Sequence, residues 1–227
     1  MRDKLAVIGL VIVVLLILVA IFADVIAPYD YAYADIANRL SWPSAAHPLG
    51  TDNFGRDLLS RIIYGTRTSL LVALISLVIS TVVGIVLGAV AGYFGGWLET
   101  IIMRFTDILM AVPQILLAVS VQAALGPGIF NTALAIAISG IPMGTRILRA
   151  QILSVREQEY VEAAIATGSG NMRVLFHQIL PNCLAPLIVD TSMRVGMAIM
   201  SISGLSFIGL GVQPPTAEWG SIMTAGR

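Results

Sequence analysis

Glu157-Gln158-Glu159-Tyr160-Val161-Glu162-Ala163-Ala164-Ile165-Ala166-Thr167-Gly168 is a polar run between long uncharged stretches, and a second short stretch follows it, ending at Ile179-Leu180-Pro181. Val161, Ala164, Ile165 and Gly168 fall at i, i+3, i+4 and i+7, and Met172, Leu175, Phe176 and Ile179 repeat that spacing. The spacing predicts two amphipathic helices in a hairpin. Glu157, Glu159 and Glu162 suit the positive end of the first. Gly168 and Gly170 can take φ > 0 to break it, Asn171 is a fair N-cap for the second, and Pro181 follows the second helix's stop. Ala163 and Ala164 keep one face small enough for close approach. Such stripes most often pack on a protein's own helices. Docking into a groove on another protein uses the same pattern, so both readings stand at this point.

The flanks make the hairpin part of a membrane protein. Apolar residues are 57% of the chain and charged residues 11%, with net charge zero and mean hydropathy +0.90. A soluble domain is about half apolar and roughly a quarter charged. Residues 5–23 form an apolar run behind Arg2 and Lys4, too long for a signal-peptide core of ~7–15 residues. Residues 68–98 are uncharged and end at Gly92-Tyr93-Phe94-Gly95-Gly96, a turn-like sequence. Residues 108–145 are uncharged too and are divided into two spans by Gly126-Pro127-Gly128, while residues 195–217 supply a fifth. Runs of this length without alternation predict an all-α, polytopic transmembrane bundle rather than a barrel. Gly84 and Gly88, four apart, read as a close helix contact.

Arg2 and Lys4 favour a cytoplasmic N-terminus, and alternate crossings then place Arg146, Arg149, Arg156 and Arg173 inside. Arg39, Arg56, Arg61 and Arg67 fall in the first outer loop and oppose that assignment. Near the ends of spans, Arg104 with Asp107 and, at the start of the last one, Asp190 with Arg194 have the spacing of helical ion pairs.

Several chemistries are excluded. Lys4 is the only lysine, so neither a phosphate-binding G-x-x-x-x-G-K-[ST] loop nor a core Schiff base can be built. The chain cannot be its own ATP-driven motor. His47, His177 and the lone Cys183 make no metal cluster of usual spacing, and no nucleophile–base set lies in the apolar runs. Neutral charge argues against nucleic acid, and no cofactor site or catalytic residue is expected. Asp52 with Arg56 and Asp57 with Arg61 are four apart, beside Leu58, Leu59, Ile62 and Ile63, which predicts a short interfacial helix ahead of the second span.

Glu162-Ala163-Ala164, Gly168 and Ile179-Leu180-Pro181 resemble the EAA loop of ABC importer permeases, the cytoplasmic element that fits a cleft on the ATP-binding subunit. Gln178 stands where the family's general pattern has Ile, a form similar to that of peptide-type permeases. The segment from His47 to Leu70, with Ile26-Ala27-Pro28-Tyr29-Asp30 and the stretch from Gly204 to Gly220, resembles the second permease of the dipeptide, oligopeptide and nickel importer family. The resemblance covers nearly the whole chain. It implies a type I ABC importer permease fold with six spans, of which five are read here; a sixth should begin at Gly226-Arg227, so the expectation is either a fragment or a protein without the final span. It further implies a multi-pass protein of the bacterial cytoplasmic (inner) membrane, with residues 1–27 as the first span, 28–68 as an extracytoplasmic loop and 69–227 as the permease core carrying the EAA loop at about 150–182. The implied partners are a homologous second permease, two ATP-binding subunits, an extracytoplasmic solute-binding protein and the bilayer. Coupling contacts would be Glu162, Ala163, Ala164, Gly168, Ile179, Leu180 and Pro181. The alternatives are a non-transporting scaffold whose hairpin recruits a soluble partner, and an ion-coupled carrier.

Overall fold

The computed structural model describes residues 4–226, so Arg2 lies outside the described residues. The helices are α1 (Lys4–Ile21), α2 (Ala23–Ile26), α3 (Leu58–Phe94), α4 (Gly96–Met110), α5 (Gln114–Leu125), α6 (Ile129–Arg156), α7 (Glu159–Ala166), α8 (Asn171–Phe207) and α9 (Trp219–Ala225). A 3-10 turn spans Ile36–Asn38, and the β pairing among the described residues is one isolated bridge, Thr51 to Asp57. Four helices, α1, α3, α6 and α8, are each long and apolar enough to cross a membrane; α4 with α5 makes a fifth span if that pair is taken as one, bent by 90°. The protein is an all-α membrane bundle.

Glycine breaks stand where the composition places them. Gly95 and Gly96 take φ of +64° and +61° after α3, and Gly126 and Gly128 take +80° and +145° between α5 and α6. Proline behaves less simply. Pro113, inside a run read as one straight span, disfavours helix at Val112 and has no N–H to donate, and the chain turns between α4 and α5 there. Pro181 does not stop the hairpin's second helix. The backbone passes through a π segment, Leu175–Ile179, and continues as α-helix from Leu180 to Phe207. A wider turn just before Pro181 relieves the ring's clash with the preceding carbonyls. The last span therefore begins far upstream of residue 195, and Asp190 and Arg194 lie in its interior. The interfacial helix is also absent: Leu58 begins α3 itself, and Asp52 and Arg56 pair across a turn instead of along a helix.

The chain divides into two compact units. One comprises Met1–Ala73, Leu125–Thr132 and Ile199–Arg227. Here Arg67 Nε donates to Ala20 O at 2.7 Å and Nη2 to Ile21 O at 3.0 Å, capping orphan carbonyls at the end of α1, while Nη2 also meets Asp24 Oδ2 at 2.9 Å. That hydrogen bond, with one to Tyr64, holds the Asp24 carboxyl below its ordinary range. Asp52 accepts from Phe54 N at 2.8 Å, Arg56 N at 3.0 Å and Arg56 Nε at 2.7 Å. Arg61 is 1% exposed, lies 3.6 Å from Asp52 and donates to Tyr31 O at 3.2 Å. Three of the four loop arginines that oppose the charge rule are thus committed to internal partners. Asp57 pairs with His47 at 2.9 Å rather than with Arg61. Glu218, fully buried, caps α9 by accepting from Gly220 N at 2.8 Å and Ser221 N at 2.9 Å, and Ser69 Oγ of α3 reaches it at 3.3 Å.

The second unit holds Leu74–Ala124 and Ala133–Ala198. Gly84 and Gly88 bring α3 against α6: a Cβ on Gly88 would sit 2.8 Å from Thr145 O and 3.0 Å from Leu148 Cβ. Gly92 extends the row against Ile152. Small residues spaced by four let the two backbones approach, the device membrane helices use where no hydrophobic force drives them together. Asp107 pairs with Arg146 of α6, not with Arg104 on its own helix, and Glu99 of α4 accepts from Arg149 Nε at 2.8 Å. Both acids face α6, so α4 is held by charge as well as by packing.

Candidate functional site: the hairpin between α6 and α8

The hairpin has two unlike faces. Its inner face carries Val161, Val174, Leu175 and Ile179, each buried, joined with Ala89 and Tyr93 of α3, Leu148 and Ile152 of α6, and Cys183 into one apolar cluster. Full burial of a side chain of this size stabilises by about 1.5–3 kcal/mol, so four of them fix the hairpin on the bundle against the entropy of ordering it. Two polar ties add direction. Tyr93 Oη and Asn171 Oδ1 lie 3.2 Å apart, and Arg156 Nη1 donates to Tyr93 O at 3.2 Å with its guanidinium 6.0 Å from the Tyr93 ring.

The turn is a Schellman cap. Gly168 N–H donates to Ile165 O at 2.9 Å and Ser169 N–H to Ala164 O at 3.1 Å, with Gly168 at φ +83°. Gly170 keeps an ordinary φ of −68° and is itself the N-cap of α8, so Asn171 is the first helical residue.

The outer face is exposed. It presents Glu159, Glu162, Ala163, Ala166 and Gly168 from the first arm, with Met172, Arg173 and Phe176 from the second. Tyr160 and Ile165 are 42% and 50% exposed, and Met172 and Phe176 are 59% and 54% exposed, so large apolar side chains sit on the same open surface as acids and a cation. Of the sequence-identified residues, Glu162, Ala163 and Gly168 share this open face, Ala164 is half-buried and Pro181 is exposed on α8. Ile179 and Leu180 turn inward; Ile179 is 0% exposed. The predicted stripe Met172, Leu175, Phe176, Ile179 is split, because the π segment bonds Leu180 N–H to Leu175 O and shifts the register so that Val174, Leu175, Ile179 and Cys183 face the bundle. Met172 and Phe176 are therefore surface residues that a regular 3.6-residue period hides in the core.

The hairpin is thus anchored on the bundle by one face and exposed on the other. Residues 84–227 match the family described as binding-protein-dependent transport system inner membrane component, and residues 1–43 match the N-terminal TM domain of oligopeptide transport permease C. The chain belongs to this family of transport permeases. It is 45% identical over 226 residues to the dipeptide transport system permease protein DppC of Alkalihalophilus pseudofirmus, covering 100% of this chain and 74% of that protein. It is 42% identical over 227 residues to the glutathione transport system permease protein GsiD of Escherichia coli and 44% identical to that of Shigella flexneri, each time over 100% of this chain and 75% of the other.

Proposed function

We propose that this chain is one of two permease subunits of an ATP-driven importer in the bacterial cytoplasmic membrane, and that it translocates dipeptides or closely related short peptides. It pairs with a homologous permease, receives solute from an extracytoplasmic binding protein and holds no cofactor of its own. Two ATP-binding subunits drive it. The observation that carries the coupling half of this reading is the two-faced hairpin: the apolar cluster makes it rigid with α3, α6 and α8, and its open face offers Glu162, Ala163 and Gly168 beside exposed Met172 and Phe176. A motor subunit that moves this handle moves three spans with it. The peptide half is supported by the names of relatives that match the chain along its whole length. The test is uptake of a labelled dipeptide by the complete transporter in proteoliposomes. Uptake that requires ATP and the binding protein is expected; uptake that persists without ATP under an ion gradient would instead make the chain a secondary carrier.

A further inference from the structure

Among the described residues, one cavity of about 240 Å³ is lined by polar groups from four helices of the second unit: Ser76 and Ser80 of α3, Gln114 of α5, Gly140 of α6, and Asp190 with Arg194 of α8. A charged pair in the interior of a membrane helix is costly and marks function more often than structure. The pair's geometry is unlike that of a structural bridge. Arg194 Nη1 and Asp190 Oδ2 are 3.8 Å apart, beyond hydrogen-bond distance, and both atoms are buried with no hydrogen-bond partner. A buried ion pair repays its desolvation only when its geometry is good and its remaining hydrogen bonds are filled. Here Nη2 of the guanidinium is anchored, whereas Nη1 is enclosed without a hydrogen-bond partner. Nη2 donates to Gly140 O at 2.9 Å and lies 3.4 Å from Ser80 Oγ. α6 is shaped to admit the group, since a Cβ on Gly140 would lie 2.7 Å from Nη2 and one on Gly144 3.2 Å from Nη1.

We propose that Arg194, through its unpartnered Nη1, binds the free carboxylate of the solute as it passes this cavity, with Asp190 holding the cation in the empty state. A charged guanidinium N–H donates a stronger hydrogen bond to a carboxylate than a neutral amide does, so Nη1 suits one oxygen of a carboxylate. The solute class is a small molecule with a free carboxyl terminus; the inference rests on the importer reading above.

The test uses the complete reconstituted transporter and a labelled, unmodified dipeptide, with uptake measured per assembled complex. Arg194→Gln lowers uptake more than tenfold, and Arg194→Lys retains part of it. The exchange of Asp190→Arg with Arg194→Asp keeps an ion pair but moves the cation one helical turn, and it stays as low as Arg194→Gln. Restoration of wild-type uptake by the exchange, or uptake near wild type in Arg194→Gln, overturns the proposal and leaves a structural pair. If Arg194→Gln does not assemble, Gly140→Ala gives the same readout, because it displaces the guanidinium without removing the charge: a several-fold loss is expected, and no loss overturns the proposal. Wild-type transporter that takes up no dipeptide fails the importer reading and takes this inference with it, whereas wild-type uptake with unaffected variants sinks the inference alone.

Discussion

Substitutions at Gly168 separate backbone conformation from space as the requirement of the hairpin. The residue sits at φ +83°, and an added Cβ there would meet nothing within 4 Å. Side-chain size is therefore free, and the cost of a substitution is the cost of the left-handed backbone. That is about 1–2 kcal/mol for an ordinary L-residue and less for Asn, whose short polar side chain tolerates the region. Proline is worse on two counts: its φ is fixed near −65°, and it abolishes the 2.9 Å bond from Gly168 N–H to Ile165 O. A loss of 1–2 kcal/mol lowers the ratio of formed to open turn by roughly five- to thirtyfold. The predicted order of uptake per assembled complex is Gly168, then Asn, then Ala, with Pro near background, while membrane insertion is the same for all. Hydrogen exchange at Ser169 N–H, which closes the cap, is predicted to quicken in the same order. Wild-type uptake in Gly168→Pro, or an order that follows side-chain volume instead of left-handed tolerance, would refute the reasoning.

Other perturbations read the scaffold. Gly88→Val pushes a side chain into Thr145 O and Leu148, so α3 and α6 must part; overpacking of this kind costs about 1–3 kcal/mol and is expected to lower the thermal midpoint of the purified protein. Glu218→Ala removes the cap of α9 and the carboxylate that Ser69 reaches, with an expected loss of about 0.5–2 kcal/mol, read as a lower midpoint that Glu218→Asp partly restores. Asp24 has a folded pKa below its unfolded one, so its pairing with Arg67 contributes stability above the ordinary carboxylate range, and this is lost as pH falls through the folded value. The difference in midpoint between wild type and Asp24→Asn is expected to be present at neutral pH and to vanish in acid; a difference that grows in acid contradicts the assignment.

Much of this architecture is legible from composition and glycine placement, because uncharged runs must be helical in lipid and paired glycines must break or pack them. Gly95-Gly96 and Gly126-Pro127-Gly128 stand at real breaks, and Gly84 and Gly88 stand at a real contact. Proline is ambiguous in the same alphabet. Pro113 turns the chain by 90°, while Pro181 sits inside a continuous helix, and the difference lies in a π segment that no local residue pattern announces. That segment also hides the outward turn of Met172 and Phe176. Ion pairs are misread for a related reason: spacing of three or four proposes partners within a helix, whereas Asp107 finds Arg146 across to α6 and Asp57 finds His47. Tertiary partners outcompete local ones wherever a neighbouring helix brings a guanidinium or imidazole closer. The missing partner of Arg194 Nη1 is invisible without coordinates, since Asp190 four residues before it looks like a satisfied pair.

The measurement that tests the central claim most directly is affinity co-purification of the chain in mild detergent from its native host, with identification of the bound proteins. The account predicts that ATP-binding subunits are recovered with the wild-type chain and lost when Glu162 and Gly168 are substituted. Recovery of no ATP-binding subunit, under conditions that keep a control transporter complex together, would contradict it.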